Sequence, residues 1–205
     1  MSLDILPMLI IMAGRLFTFE GLDGSGISTQ ATLLRNYLME KGRNVVLTKE
    51  PTNGLIGGLI RAVLRHEWKT DPLTLQMLFA TDRAHHLATE IEPALKRGKD
   101  VICDRYVLST LAFGALDVDT TFLKELNRLF RAPDVVLFID TLPSVCISRM
   151  RKARPHVELF EEEHKLEAIR KTYLSLTRYF KNTHIIDGNR EPKEVRDDVT
   201  KAVKN

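Results

Sequence analysis

The sequence predicts an α/β fold in which helices cover both faces of a five-stranded parallel sheet. Short apolar runs alternate along the chain with longer segments of helical periodicity, as expected of successive βα units. The apolar runs are continuous rather than alternating, which is typical of strands buried on both faces. The chain has 205 residues, 44% of them hydrophobic. This size and composition fit one domain with a packed core and exclude a disordered chain.

Five apolar runs are the predicted strands, and turn or cap residues separate them from the predicted helices. A glycine-rich turn follows the first run and opens a helix that Gly42 ends. Asp71 and Pro72 are a capping residue and a first-turn proline, so a long helix is expected to start there and to stop at Gly98. The predicted strands are residues 16–20, 44–48, 100–104, 134–140 and 183–187. The other predicted helices are residues 71–97, 159–180 and 191–204.

The charge balance excludes a dedicated duplex-DNA-binding protein. The chain has 30 Lys and Arg residues against 27 Asp and Glu residues, a net charge of +3, whereas such proteins carry a strongly basic surface. No nucleic-acid partner is therefore expected. Cys103 and Cys146 are far apart and have no second pair, so neither a disulfide scaffold nor a zinc site is indicated. Both are expected to be small buried residues of a cytoplasmic protein.

Residues 1–14 are expected to form an arm outside a single domain of residues 15–205. The apolar run at 5–12 is interrupted by Pro7 and is much shorter than the ~20 residues that a membrane span needs. Asp4 stands where a secretory signal would carry basic residues. Neither a membrane segment nor a secretory signal is therefore expected.

Polar residues follow four of the predicted strands at the point where each strand ends. Ligands of parallel sheets bind beyond the carboxyl ends of the strands. We therefore expect these residues to share one crevice. They are Asp23 after the first strand, Glu50 and Pro51 after the second, Asp104 and Arg105 after the third, and Asp140 after the fourth.

Residues 21–29, GLDGSGIST, match the phosphate-binding pattern G-x-x-x-x-G-K-[ST] except at one position. Glycines let consecutive backbone N–H groups converge on phosphate oxygens, and the following helix adds its positive N-terminus. Ser28 offers a hydroxyl to Mg²⁺. Ile27 stands where the pattern has lysine, so the loop lacks the ammonium that would reach the β- and γ-phosphates. The predicted nucleotide-binding residues are Gly21, Asp23, Gly24, Ser25, Gly26, Ile27, Ser28 and Thr29.

Four segments in order resemble motifs of the thymidylate kinase family, which belongs to the nucleoside-monophosphate kinase group of P-loop proteins. FEGLDGSGISTQ is similar to that family's FxGxDGxGKSTQ opening, and TKEPT to its REP segment. LFATDRAHH is similar to LFAADRAQH, and CDRYVLSTLAF to DRYxxSSxAY. The resemblance extends from about Arg15 to Asp198. It implies a P-loop NTPase-type fold with a small lid, a homodimer, and an enzyme that uses ATP and Mg²⁺ to phosphorylate dTMP to dTDP in dTTP biosynthesis.

The resemblance implies roles on the acceptor side for several residues of these motifs. Asp23 resembles the residue that contacts the deoxyribose 3′-hydroxyl, Phe79 the ring that stacks on thymine, and Arg83 the side chain that hydrogen-bonds the base carbonyl. Without the family, Phe79 would be assigned to helix core and Arg83 to solvated surface. Arg105 resembles the guanidinium that grips the acceptor phosphate, with a structural ion pair as its alternative. The other implied substrate-binding residues are Glu50, Pro51, Ser109, Thr110 and Phe113.

The resemblance also implies a metal site and a catalytic lid. Asp104 resembles the carboxylate linked to Mg²⁺, and an oxygen ligand suits this hard cation. The segment at about 149–160 resembles the lid and concentrates basic residues, which suits phosphoryl transfer because mobile cations close over the transferring group. Ser25 is not arginine, so the chain resembles the members whose catalytic arginine lies in the lid. The lid candidates are Arg151 and Arg154.

Three departures from the family pattern keep other functions open. Ile27 removes the loop lysine, Thr110 stands where asparagine or serine commonly contacts the base, and Phe113 replaces a tyrosine associated with discrimination at the sugar. The alternatives are a catalytically impaired nucleotide-binding paralogue and a kinase for another nucleoside monophosphate.

The missing lysine predicts a gain of activity when it is restored. A charged hydrogen bond contributes roughly 1.5–3 kcal/mol, and each ~1.4 kcal/mol is a tenfold change in rate. Ile27→Lys is therefore predicted to raise turnover about tenfold to hundredfold. The alternative is that Lys49, Arg151 or Arg154 already supplies the charge, in which case the new lysine is neutral or harmful.

Overall fold

A computed structural model describes residues 13–153 and 162–204 of the chain. Within these residues, five parallel strands form one sheet in the order β2-β3-β1-β4-β5. All five predicted strands are confirmed, and their bounds differ from the prediction by at most one residue. The strands are β1 (Leu16–Gly21), β2 (Val45–Lys49), β3 (Asp100–Asp104), β4 (Val135–Asp140) and β5 (Thr183–Asp187).

Helices connect the strands and cover both faces of the sheet. In chain order they are α1 (Ile27–Glu40), α2 (Leu55–Leu64), α3 (Pro72–His86), α4 (Glu92–Lys96), α5 (Val107–Gly114), α6 (Thr120–Asn127), α7 (Pro143–Ala153), α8 (Glu163–Leu176) and α9 (Pro192–Ala202). Four of them, α2, α5, α6 and α7, were not predicted from the sequence.

The apolar core lies in two layers, one on each face of the sheet. Successive side chains of a strand point to opposite faces, so Leu16 of β1 belongs to one layer and Phe17 and Phe19 to the other. The first core is formed with helices that include α3, α5 and α8. The second core, which contains Phe17 and Phe19, is formed with α1 and α9. This arrangement is the predicted α/β architecture.

The helix predicted over residues 71–97 is present but contains a π-helical turn. The Asp71 side chain accepts a hydrogen bond of 2.9 Å from the Thr74 N–H, which confirms the predicted cap. The turn at Leu87–Ile91 separates α3 from α4. Pro93, two residues after this turn, has no N–H for a helical hydrogen bond, a common cause of such irregularities. Gly98, with a φ of 72°, ends the segment as predicted.

The strand order places the loop after β1 where ligands of such sheets bind. β1 lies between β3 and β4, so the chain leaves the centre of the sheet in one direction and later returns to fill the other side. Ligands bind at this reversal, beyond the carboxyl ends of the strands. The predicted phosphate loop is therefore at the centre of this edge.

The predicted N-terminal arm is for the most part outside the described residues, which begin at Ala13. The Gly14 N–H donates a hydrogen bond of 3.1 Å to the Leu95 carbonyl. Among the helices of the described ranges, none is long and apolar enough to cross a membrane.

Candidate active site

The loop between β1 and α1 has the tight backbone that its glycines permit. Gly24 and Gly26 have φ values of 78° and 97°, where a side chain is strained. A Cβ at Gly24 would also lie 2.6 Å from the Cys146 carbonyl oxygen. The Ser25 hydroxyl is buried and has no hydrogen-bond partner among the described residues. Because α1 begins directly after Gly26, its unpaired N-terminal N–H groups adjoin the loop and make it suitable for an anion.

Ile27 occupies the position of the missing lysine as a buried core residue. Its side chain is 5% exposed and belongs to the second core, together with Phe19 and Ala31. Burial of an isoleucine side chain contributes roughly 1.5–3 kcal/mol to folding. The position therefore stabilises the fold and adds no charge to the loop.

Ser28 and Asp104 meet at the carboxyl end of β3. The Ser28 hydroxyl donates a hydrogen bond to Asp104 Oδ2. Lys49, the last residue of β2, is the register partner of Asp104 on the neighbouring strand. A hydroxyl and a carboxylate in contact are the kind of oxygen ligands that Mg²⁺ uses in phosphate sites. The residues present therefore fit a magnesium ion.

Arg105 has an unusual backbone conformation, and both Nη atoms of its guanidinium make hydrogen bonds. Its φ of 70° is an uncommon and costly conformation for a residue other than glycine. Its Nη2 donates to Asp23 Oδ1 at 2.6 Å, and its Nη1 donates to the Gly21 carbonyl at 2.8 Å. Burial alone lowers the pKa of Arg105, but anionic neighbours, Asp23 first, raise it above its usual value. The guanidinium is therefore charged and fixed beside the loop.

One turn of α5 contacts the same guanidinium. Ser109 Oγ accepts a hydrogen bond of 3.2 Å from Arg105 Nη1. The ring centroid of Phe113 lies 5.0 Å from Arg105 Cζ, a distance that permits a cation–π contact. The two side chains are one helical turn apart, so α5 supplies a polar and an aromatic contact at one place.

Arg83 is a buried residue, and the assignment to solvated surface that its sequence alone would favour is wrong. Its side chain is 1% exposed and its Nη2 lies 2.7 Å from Glu50 Oε2. Nη2 also donates to Thr110 Oγ1 at 3.0 Å, and Nη1 donates to Asn127 Oδ1. His86 Nδ1 lies 3.1 Å from the other Glu50 oxygen. These contacts occupy most of the N–H groups of the guanidinium and fix the plane in which it lies.

One cavity of about 590 Å³ joins the phosphate loop to Phe79, Arg83 and Phe113. This volume is within the range of small-molecule sites, ~300–1,000 Å³. Gly21 and Ser25, which were also predicted, are buried in the loop and do not line the cavity. The predicted residues that line it are Asp23, Gly24, Gly26, Ile27, Ser28, Thr29, Glu50, Pro51, Phe79, Arg83, Asp104, Arg105, Ser109, Thr110 and Phe113.

Three other predicted residues are not among those that line the cavity. Asp140 lies 2.6 Å from Arg170 in an ion pair, so the expectation that four strand ends share one crevice is wrong for Asp140. Arg151 is exposed near the end of α7 and does not line the cavity. Arg154 lies outside the described residues, as does most of the expected lid.

Basic residues beyond the predicted site also line the cavity. Arg61, on the unpredicted helix α2, donates a hydrogen bond to the Thr52 carbonyl. Arg149 Nη1 lies 3.3 Å from the Ser25 carbonyl, against the phosphate loop. Lys49 is exposed and, within the described ranges, its ammonium has no carboxylate partner. Lys49 was already a candidate for the missing charge, and Arg149 lies in the basic run of the expected lid, whereas no sequence signal indicated Arg61.

Comparisons with known proteins agree with this geometry. The family model described as thymidylate kinase matches residues 19–199. A probable thymidylate kinase of Pyrococcus abyssi is 37% identical over 201 residues, which cover 95% of this chain and 98% of that protein. A putative thymidylate kinase of Treponema pallidum is 40% identical over 162 residues, 78% of this chain and 77% of that protein. A probable thymidylate kinase of Methanococcus aeolicus is 38% identical over 196 residues, which cover 92% of this chain and 95% of that protein.

Proposed function

The chain belongs to the thymidylate kinase family, and we propose that it transfers the γ-phosphoryl group of ATP to dTMP, giving dTDP and ADP in dTTP biosynthesis. The observation that carries this proposal is the single cavity that joins a phosphate loop to an aromatic and arginine-lined pocket. A nucleotide acceptor and a phosphate donor that share one cavity can be held in line for direct transfer. The acceptor phosphate attacks the γ-phosphorus, so positioning and cations supply the catalysis and no side chain forms a covalent intermediate.

On the acceptor side, each residue has a role that its contacts support. Phe79 presents a ring for stacking on the thymine, and Arg83 keeps one N–H of Nη1 for a base carbonyl. Arg105 receives the acceptor phosphate on a guanidinium fixed by Asp23, whose second carboxylate oxygen is left for the 3′-hydroxyl. Phe113 crowds the 2′ position and so favours deoxyribose. Glu50, Pro51, Ser109 and Thr110 complete this side of the cavity.

On the donor side, ATP binds through the backbone N–H groups of the loop and the start of α1. The Ser25 hydroxyl would gain a partner in a phosphate oxygen. Lys49 supplies the ammonium that Ile27 cannot, because it is exposed, lines the same cavity as Ser28 and Asp104, and is the register partner of Asp104 on the neighbouring strand. Arg151 and Arg154 are proposed to act from the lid.

The Ser28 hydroxyl and the Asp104 carboxylate would hold Mg²⁺. When bound, the ion supplies neutralisation of the charge that develops on the transferring phosphate. The hydrogen bond between the two ligands keeps them together before any ion binds.

We also propose a cytoplasmic homodimer. An exposed apolar surface extends across the packed helices α2 and α3, where Leu55 is 92% exposed and Met77 is 50% exposed. Leu55 and Leu59 are one turn apart on α2, and Leu73 and Met77 are one turn apart on α3, so each helix adds an apolar stripe. A second copy would cover this surface. Sedimentation of the wild type and of Leu59→Glu tests the proposal, and a wild type that is monomeric at micromolar concentration would contradict it.

Release of ADP with ATP, Mg²⁺ and each of dTMP, dUMP, dCMP, dGMP and UMP tests the proposed reaction. We expect the highest kcat/KM with dTMP. Arg105→Lys is expected to lower it at least about tenfold, because a point charge lacks the planar fork of the guanidinium. Arg128→Lys, at an exposed ion pair away from the cavity, is the matched control and is expected to have no effect.

Two results would support the alternatives instead. Binding of dTMP and ATP in calorimetry without any product would indicate an impaired paralogue. Turnover of another nucleoside monophosphate with weak binding of dTMP would indicate a kinase with a different acceptor.

A further inference from the structure

A fully buried carboxyl group lies behind the phosphate loop, and the proposed reaction does not use it. Glu20 is the second-last residue of β1 and has no solvent exposure. Its Oε2 accepts a hydrogen bond of 2.5 Å from Ser109 Oγ and a longer one of 3.4 Å from the Tyr173 hydroxyl. Its Oε1 is buried without a hydrogen-bond partner in the described part of the chain. Burying a carboxyl group costs free energy unless it is paired, so this placement calls for a reason.

Ser109 connects this carboxyl group to Arg105. A hydroxyl has one proton to donate and lone pairs that accept. The Ser109 hydroxyl donates a hydrogen bond to Glu20, and its oxygen accepts a hydrogen bond of 3.2 Å from Arg105 Nη1. Since Asp23 and the Gly21 carbonyl also accept hydrogen bonds from the guanidinium, the Ser109 oxygen is one of the three acceptors that orient it in the described part of the chain.

The protonation state of Glu20 decides the direction of this hydrogen bond. An ionised Glu20 only accepts, so Ser109 must donate to it and its lone pairs stay available to Arg105. A protonated Glu20 would donate to the Ser109 oxygen and compete with Arg105 Nη1 for its lone pairs.

We propose that Glu20 is a positioning residue. It accepts the hydrogen bond that Ser109 donates and thereby fixes the guanidinium of Arg105 for the acceptor phosphate. This inference rests on the proposed function of the same cavity. Glu20 touches no reacting atom, and it acts through Ser109, whose hydroxyl also lies 2.8 Å from the Tyr173 hydroxyl.

The surroundings of Glu20 bring its ionisation into the working range of an enzyme. Burial raises its pKa from 4.5 to about 7, although the Ser109 hydrogen bond and the charges of Arg105 and Arg83 lower it. The nearby negative charge of Glu50 also raises the pKa of Glu20. The charged and titratable groups that face it from the surrounding elements are Arg105, Arg83, Glu50, Cys103 and Tyr173. Acceptor binding is therefore expected to improve as the pH rises through about 7.

Two variants separate positioning from charge. Glu20→Gln keeps a carbonyl oxygen that accepts from Ser109 at every pH, whereas Glu20→Ala removes the acceptor. We expect kcat/KM for dTMP to rise with pH through about 7 in the wild type. Glu20→Gln should stay within a few-fold of the wild-type plateau and lack that rise, and Glu20→Ala should be about tenfold lower at all pH values. KM for ATP should be unchanged in both.

The dTMP phosphate has its own ionisation near pH ~6, which affects wild type and variants equally, so the ratio of their profiles isolates Glu20. Identical pH profiles for the wild type and Glu20→Gln would overturn the proposal, as would a normal kcat/KM for Glu20→Ala. If Glu20→Ala does not fold, Ser109→Ala removes the same link and should also lose the rise.

The dTMP affinity of each protein is measured by calorimetry over the same pH range. An inactive wild type whose dTMP affinity follows the expected pattern would refute the kinase activity and leave the positioning role intact. A wild type that neither reacts nor binds dTMP would refute both.

Discussion

Replacing Lys49 with methionine would remove the ammonium that we assign to the donor phosphates. The side chain keeps its length and apolar character, so the change is one of charge. Lys49 is exposed and, among the described residues, pairs with no carboxylate, so a phosphate contact does not require an existing ion pair to break. A charged hydrogen bond contributes roughly 1.5–3 kcal/mol, and each ~1.4 kcal/mol is a tenfold change in rate. We therefore expect Lys49→Met to lower kcat about tenfold to hundredfold.

Ile27→Lys in the Lys49→Met background provides the complementary test. A lysine at position 27 restores an ammonium to the loop, so it should recover most of the lost kcat. The same substitution in the wild type should have a smaller effect, because Lys49 already supplies the charge. Since Ile27 is 5% exposed, we also expect the substitution to lower the free energy of unfolding by roughly 1.5–3 kcal/mol.

Steady-state release of ADP at saturating ATP and dTMP measures these effects. Lys96→Met changes an exposed lysine of α4 that does not line the cavity, and it should leave kcat unchanged. The reasoning is refuted if Lys49→Met has the kcat of the wild type. It is also refuted if Ile27→Lys changes kcat by the same factor in both backgrounds, because the two cations would then act independently.

Three further predictions concern buried groups and the sugar. The pKa of Glu20 is about 7 in the folded protein rather than 4.5. As the pH rises between these values, the free energy of unfolding of the wild type should therefore fall relative to that of Glu20→Gln, by at most ~3 kcal/mol. Urea unfolding measures this difference, and a difference that is constant with pH would contradict the prediction. Arg83→Ala leaves the buried Glu50 carboxylate with His86 as its remaining partner and should cost up to ~3–5 kcal/mol of unfolding free energy, part of which Glu50→Gln should restore in the double variant. Phe113→Ala should raise kcat/KM for UMP relative to dUMP, and an unchanged ratio would mean that the ring does not crowd the 2′ position.

The strands and the phosphate loop could be predicted because their signals are local. A strand buried on both faces is a continuous apolar run, as in residues 135–140. The loop needs glycines at fixed spacing because Gly24 and Gly26 have positive φ. The cap at Asp71 likewise depends only on residues within one turn. Each of these features is determined within a few residues of itself.

The unpredicted helices α2, α5 and α6 are short, at most ten residues each. Helix α5 is buried on most sides, so its apolar residues do not form one stripe. Helix α2 contains Gly57 and Gly58, which have low helix propensity, and tertiary packing against α3 outweighs this cost. Helix α6 has only eight residues, shorter than a typical helix of about 11 residues. Arg61 was missed for the same reason, because it is on α2.

Partners from distant segments determine what the cavity residues do. Nothing near Arg83 in the sequence indicates that Glu50 and Asn127 enclose it, and a lone arginine on a helix is ordinarily solvated. The family resemblance assigned it to the site, but its burial and its contacts became visible only in the folded chain. Asp140 is the opposite case, since its strand-end position suggested the crevice and Arg170 pairs with it instead.

Three cations that line the cavity, Arg83, Arg105 and Lys49, are held in two different ways, and substitutions should affect them differently. Arg83 and Arg105 are paired with Glu50 and Asp23, so each guanidinium is oriented before a nucleotide binds and its removal deprives a carboxylate of its arginine partner. Their loss should therefore reduce both stability and acceptor binding. Lys49 has no carboxylate partner within the described ranges, so its loss should reduce turnover without destabilising the fold. This division follows from the chemistry of the two substrates. The acceptor must be held in one orientation, which requires fixed groups, whereas the donor phosphates mainly require positive charge, which a mobile ammonium can deliver.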